Sequence, residues 1–115
     1  DKMREILSLP VFSSLSGCTL FREREFLLSV PAKEVLDSAS DDHVLMQGVI
    51  DLMAVRGEEC ILLDYKYSSH DAENLVRTYL PQLRVYAAAA RRAQGVKKVS
   101  AYLVNILRGE AVKVL

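Results

Sequence analysis

Ile61-Leu62-Leu63-Asp64-Tyr65-Lys66 carries an apolar run into an acid, and a lysine follows that acid by two positions. Successive side chains of a strand alternate between faces, so Asp64 and Lys66 share one face and Tyr65 takes the other. An acid and a base at the end of a buried strand are costly unless they are paired or used. Upstream, Gly48-Val49-Ile50-Asp51-Leu52 is a second apolar strand that delivers an acid. Between the two, Arg56-Gly57-Glu58 reads as a three-residue hairpin joining strands at 43–55 and 59–66. Adjoining strands that each present a carboxylate, with a lysine beside one of them, can hold a divalent metal against a phosphate. Carboxylate oxygens suit Mg²⁺ or Mn²⁺, which keep several waters and accept phosphate oxygens. Lys66 would then orient a water or neutralise developing charge. A salt bridge at the sheet rim is the plain alternative for Asp64 and Lys66, because DxK spacing recurs by chance. The second acid on the neighbouring strand favours a shared metal.

Outward from this pair, Leu20 to Val30 has the pattern of a strand closed by Pro31. Simple alternation along it puts Glu23 and Glu25 on the face of Phe21 and Leu27. Residues 2–8 place Met3, Ile6 and Leu9 at helical spacing, with Pro10 as a stop and a Ser-rich connector over 11–18. Asp37 to Asp42 reads as a polar turn. After Lys66, Ser68, Ser69 and Asp71 are all candidate N-caps for a helix running to Gln94, with Pro81 inside it and Gly95 closing it. Val76, Tyr79, Leu80, Leu83, Ala87 and Ala90 make its apolar face, with Tyr86 at the edge and Gln82 just beyond. Val99–Leu107 is a further strand, and Arg108-Gly109 turns into a last short one at 111–115. Helix, three-strand meander, helix and strand make an α/β domain with a mixed sheet, since the long helix must cross over between parallel strands.

The 115 residues are enough for one domain. Fifteen basic residues balance fifteen acidic ones, so no overall field draws the chain to nucleic acid or membrane, and any such role must come from local geometry. Cys18 and Cys60 are too few for a zinc cage or an iron–sulfur cluster. There is no signal-peptide pattern and no run of membrane-spanning length. Arg77, Arg84 and Arg91 recur every seven residues, on the opposite flank from Gln82 and Tyr86, and read as a solvated helix face. His43 and His70 have no ligand spacing to the acids.

Gly48 to Asp51, Asp64-Tyr65-Lys66 and Gln82 to Tyr86 resemble the GxxD, DYK and QxxxY motifs of RecB-like nucleases in the PD-(D/E)xK superfamily. Arg22-Glu23-Arg24-Glu25-Phe26 is similar to the upstream RExPF element, with Glu25 where proline is usual. The resemblance runs from Leu20 to Leu115 and is nearest to the C-terminal nuclease domain of AddA-type helicase–nucleases. It implies a restriction-endonuclease-like core with Asp51, Asp64 and the main-chain carbonyl of Tyr65 as metal ligands and Lys66 as the catalytic lysine. It further implies Glu23 as a supporting acid, with Glu25 the alternative two residues along, and Gln82 and Tyr86 contacting DNA or bracing the site. The implied activity is Mg²⁺- or Mn²⁺-dependent exonucleolytic cutting of single-stranded DNA during double-strand-break repair and recombination. The implied setting is the bacterial cytoplasm, inside a longer ATP-dependent helicase–nuclease chain partnered by a second chain of AddB type. A nuclease-derived module that only docks DNA or a partner is the alternative. Two departures stand out: Tyr67 follows the lysine where threonine is frequent, and no histidine precedes His43, although the family carries one on a helix upstream.

Overall fold

A computed structural model describes residues 2–35 and 39–115. The core is a five-stranded sheet in the order β1-β2-β3-β4-β5: Thr19–Pro31, His43–Arg56, Glu59–Lys66, Lys98–Asn105 and Glu110–Lys113. Neighbouring strands are antiparallel except β3 and β4, whose parallel pairing is made by the 23-residue crossover helix Ala72–Gln94. The mixed sheet and its crossover are therefore as the element order requires. Two short N-terminal helices, Lys2–Leu7 (α1) and Pro10–Ser13 (α2), and one turn at Ala32–Val35 (α3) complete the described elements, so the crossover helix is α4.

Local rules explain most boundaries. Asp71 caps α4, its carboxylate accepting from the Asn74 N–H at 2.9 Å, which resolves the three-way choice of cap. Gly95, at φ +64°, ends the helix in the left-handed region. Pro81 does not interrupt α4: it lies on the exposed side, where the carbonyl it leaves unpaired faces water. Pro10 opens α2 rather than only stopping α1, since a proline at the first helical position lacks a donor that would be unpaired anyway. The hairpin after β2 is two residues, Gly57-Glu58, because Gly57 takes φ +61° and lets the strands pair up to Arg56↔Glu59. The turn expected at Asp37 to Asp42 falls in part on residues 36–38, outside the described residues.

The sheet buries both faces. On one side α4 packs Leu75, Leu83, Tyr86, Ala87 and Ala90 against Ile50, Met53, Leu62 and Leu103. On the other, Ile6 of α1 and Val11 of α2 lie against Leu52, Leu63 and Val104. Consecutive residues of β3 thus serve opposite cores, which is why its sequence is a continuous apolar run. The buried face of α4 is rotated from the sequence reading: Leu75 rather than Val76 is fully buried, and Tyr86 lies inside, 8 % exposed.

Simple alternation fails in β1 and β2 at one level. Phe21 and Met53 pair and pack on the α4 side, yet beyond Glu23 and Asp51 it is Phe26, Leu28, Gly48 and Ile50 that do so. Leu27, expected to face with Phe21, is exposed. The cause is Glu23, which takes φ +49° in mid-strand and resets the facing of β1, while the paired β2 resets at Asp51 opposite. A non-glycine residue held there costs on the order of 1 kcal/mol, so surrounding contacts must impose it.

Gly48 sits where the reset β2 passes beneath two rings. A Cβ there would meet Phe26 at 3.0 Å and Tyr86 at 3.3 Å, and those rings pack edge to face. Gly48→Ala is therefore expected to destabilise the fold by about 1–3 kcal/mol through overpacking, read as a lower midpoint in denaturant unfolding. An unchanged midpoint would show that the rings yield freely.

Candidate active site

The paired ladder of β2 and β3 ends at Leu52↔Leu63, and the same register carried one step further sets Asp51 against Asp64. Directly opposed residues of antiparallel strands share a face, so the two carboxylates meet where the strands part. Asp51 closes the gap by accepting a hydrogen bond from the Tyr65 N–H at 2.8 Å, taking a donor that would otherwise await a ladder partner. Asp64 is nearly buried, at 3 % exposure. Its Oδ2 stands 3.0 Å from Lys66 Nζ in an ion pair but receives no well-aligned hydrogen bond, and it is buried without such a partner.

Burial pushes the Asp64 carboxyl up from 3.8 to about 6. The Lys66 ammonium holds it down in part, while the Asp51 carboxyl, near enough to share a proton, raises it again. The site is thus short of positive charge: one ammonium answers two carboxylates.

Lys66 projects to the α4 side. Its Nζ donates to Gln82 Oε1 at 3.2 Å and lies 4.1 Å from the centre of the Tyr79 ring. Gln82 Nε2 in turn donates to the Tyr86 hydroxyl at 3.1 Å. Burial, with the charges of Asp64 and then Asp51, raises the Tyr86 phenol above its ordinary value and keeps it neutral. Gln82 and Tyr86 therefore form an inward-facing relay behind the lysine. The direct DNA contact expected of them does not fit Tyr86, whose ring is buried under β1 and β2 because α4 is rotated.

Glu23 stands across the β1–β2 ladder from Asp51, and both line a depression of about 790 Å³ with Arg22, Leu52 and Tyr65. Its carboxylate does not complete a cluster: among the described residues no three His, Cys, Asp or Glu groups converge on one point. Glu25 lies elsewhere, beside Phe26 and Gly48. Tyr67 is 75 % exposed, and His43 and His70 lie at the surface away from the acids. Arg77 and Arg91 are exposed as expected of a solvated helix side.

Two contributors are not apparent in the sequence. The helical pattern places Tyr79 on an apolar face and says nothing of a lysine beneath it. Asn105, fully buried at the end of β4, pairs with Lys66 in the parallel register. Its amide donates to the Ser68 carbonyl at 2.9 Å and accepts from the Ser68 and Leu107 N–H groups at 3.2 Å. With the Ile106 N–H donating to the Lys66 carbonyl at 2.8 Å, it pins the chain where it leaves the site. An asparagine interrupting Leu103-Val104-Asn105-Ile106-Leu107 is the available signal, since a buried amide must be satisfied.

These features define the class: a restriction-endonuclease-like α/β core, with its acids and lysine at the ends of two central strands. The sequence profile of the PD-(D/E)XK nuclease superfamily matches residues 4–114. The chain belongs to that superfamily. It is also similar to AddA proteins, the larger "ATP-dependent helicase/nuclease" chains of several bacteria. With that of Desulforamulus reducens it shares 39 % identity over 93 residues, covering 73 % of this chain and 7 % of the relative. With that of Pelotomaculum thermopropionicum the identity is 36 % over 95 residues, 77 % of this chain and 8 % of the relative. With that of Clostridium acetobutylicum it is 29 % over 102 residues, 83 % and 8 %. The chain thus spans under a tenth of the length of these curated relatives. Among the described residues no helix is long and apolar enough to cross a membrane.

The raised Asp64 carboxyl makes metal-free stability depend on pH. Folding favours the protonated form, so this contribution is complete below pH 3.8 and is lost as pH rises through about 6. The loss should be on the order of 1–3 kcal/mol by pH 7.5 without divalent ions. Asp64→Asn should flatten that slope and be more stable than wild type at pH 7.5 in chelator, as measured by urea unfolding at several pH values. A destabilised Asp64→Asn would mean that the Lys66 ion pair outweighs the repulsion.

Proposed function

We propose that this domain hydrolyses phosphodiester bonds in single-stranded DNA, as the nuclease part of a longer ATP-dependent helicase–nuclease. The observation that carries the reading is the convergence of Asp51 and Asp64 on adjoining strands with Lys66 beside them, in a site that lacks positive charge. Family membership supports it. A structural salt bridge would need one acid for one lysine, and a retired docking module has no reason to keep Asp64 Oδ2 buried without a hydrogen bond.

Asp51, Asp64 and the main-chain carbonyl of Tyr65 would hold Mg²⁺ or Mn²⁺, with Glu23 supporting from across the ladder. Such ions ask for only one or two carboxylates and keep their waters, so the absence of a carboxylate trio among the described residues suits them. A bound ion polarises a phosphoryl oxygen and lowers the pKa of water. Lys66, held by Gln82 with Tyr86 behind it, presents its ammonium to the charge that develops on the phosphate. The catalytic set is Asp51, Asp64 and Lys66.

The relatives' name joins a helicase to the nuclease, and a motor that separates duplex DNA delivers single strands to a domain in the same chain. Their name also makes each of them one component of a larger enzyme, which points to a second chain of AddB type as partner. The bacterial cytoplasm, and the processing of broken DNA ends for recombination, follow from the same reading.

In the full-length chain, Lys66→Ala should reduce single-strand cleavage by about 100-fold or more while ATP-driven unwinding persists. Wild-type cutting by that variant would remove the lysine from the mechanism. Millimolar Mn²⁺ or Mg²⁺ should also raise the melting temperature at neutral pH, by about 2.7 kcal/mol of stability at a hundred times the dissociation constant, and Asp64→Asn should abolish that response. A melting curve indifferent to both ions would overturn the metal site.

A further inference from the structure

Lys66 ends in a compact cation on a flexible four-carbon stem with three N–H donors. Two directions around Nζ are taken by Asp64 Oδ2 at 3.0 Å and Gln82 Oε1 at 3.2 Å. The third is the face of Tyr79, with the ring centre 4.1 Å away, well inside the range for attraction of a cation by a ring quadrupole. Lys66 is only 20 % exposed in its side chain, so this attraction acts in a partly dry setting where water competes weakly.

We propose that Tyr79 is a positioning residue for Lys66, its ring forming the third wall of a cage that fixes the ammonium. The inference rests on the catalytic role proposed above for the lysine. Tyr79, Gln82 and Tyr86 stand at i, i+3 and i+7 on one side of α4, so a single rigid helix places the whole support. Of the three walls, Asp64 is also assigned to the metal. Gln82 and Tyr79 are the holders that answer to no other charge, and of these only Tyr79 covers the stem from the side. Its ring also packs in the α4-side core, which orients the face toward Nζ. The interaction needs the π face and not the hydroxyl, which separates this role from ordinary polar support.

The test uses the full-length chain with Tyr79→Leu and Tyr79→Phe. Leucine keeps the packing and removes the quadrupole, and phenylalanine keeps both. Two readouts are taken: kcat and KM for single-stranded DNA, and the acetylation rate of Lys66 by an N-hydroxysuccinimide ester in metal-free protein, followed by peptide mass spectrometry. Tyr79→Leu should lower kcat by about tenfold with KM unchanged and raise Lys66 acetylation severalfold, while Lys97 and Lys98 label as before. Tyr79→Phe should restore both readouts to near wild type. The proposal is overturned if Tyr79→Leu keeps wild-type kcat and Lys66 labelling, or if Tyr79→Phe falls as far as Tyr79→Leu, which would assign the effect to the hydroxyl. Should Tyr79→Leu fail to fold, Tyr79→Met removes the ring with a more adaptable side chain and carries the same expectations. A wild type that cuts no DNA, with Lys66 labelling still sensitive to Tyr79→Leu, would sink the nuclease reading and leave the cage standing. Active wild type with labelling and kcat indifferent to the ring would sink the cage alone.

Discussion

The burial of Asp64 is the constraint on which the rest of the structure depends. A carboxylate at 3 % exposure, beside a second carboxylate, is unfavourable in its ionised form unless a cation answers it. Lys66 supplies one charge and Asp51 adds another of the wrong sign. The surroundings keep that imbalance in place. β3 cannot slip, because Leu62 and Leu63 on either side of the sheet are locked into separate cores, and a shift of one residue would exchange them. Lys66 cannot swing away, because α4 holds its head and Asn105 with Ile106 holds its backbone. The fold therefore preserves a deficit of positive charge at one point.

How the acids reach that point explains the strain in β1. Asp51 must turn its carboxylate toward Asp64 and the Tyr65 N–H at the level where β2 changes from half-solvated to buried on both sides. A strand in strict alternation offers only two directions for a side chain. Resetting the alternation at Asp51 relaxes that restriction, and the partner residue Glu23 takes up the difference by adopting φ +49°. Backbone strain and functional geometry thus occur in one ladder step across two strands. This also accounts for the acid nearest Asp51 in register being the one with the unusual backbone.

What was legible in the sequence follows the range of the interactions concerned. Asp64 and Lys66 on one face of β3 could be read directly, because period-two alternation is a property of three consecutive residues. The mixed sheet could be read too, since a long capped helix between two apolar strands leaves few other connections. The facing of β1 could not, because the reset at Glu23 is imposed by β2 and leaves no local mark. The rotation of α4 was hidden for a different reason. Leu75, Val76, Tyr79, Leu80, Leu83, Val85 and the alanines from 87 to 90 populate most of its circumference, so periodicity alone does not select the face that meets the sheet. Only the three-dimensional contact with Phe26 and Gly48 places Tyr86 inside, and Tyr79 then comes to lie over Lys66.

That rotation makes four separated stretches of sequence one physical unit. Phe26, Gly48 and Tyr86 meet at a single contact, in which the glycine is required because two rings cross its strand. Three residues after Gly48 comes Asp51, and one helical turn before Tyr86 comes Gln82, so the contact sets both the acid on β2 and the amide on α4. The amide reaches Lys66, and Lys66 reaches Asp64. Each spacing is thus the distance, in strand or helix steps, from a shared packing contact to a shared charge. A glycine three residues before an acid has little meaning alone, and neither does a glutamine four residues before a tyrosine. Together they describe a sheet and a crossover helix pinned by one aromatic contact, with the polar ends of both elements converging a turn away. The order of the motifs along the chain is the order in which β1, β2, β3 and α4 enter that arrangement.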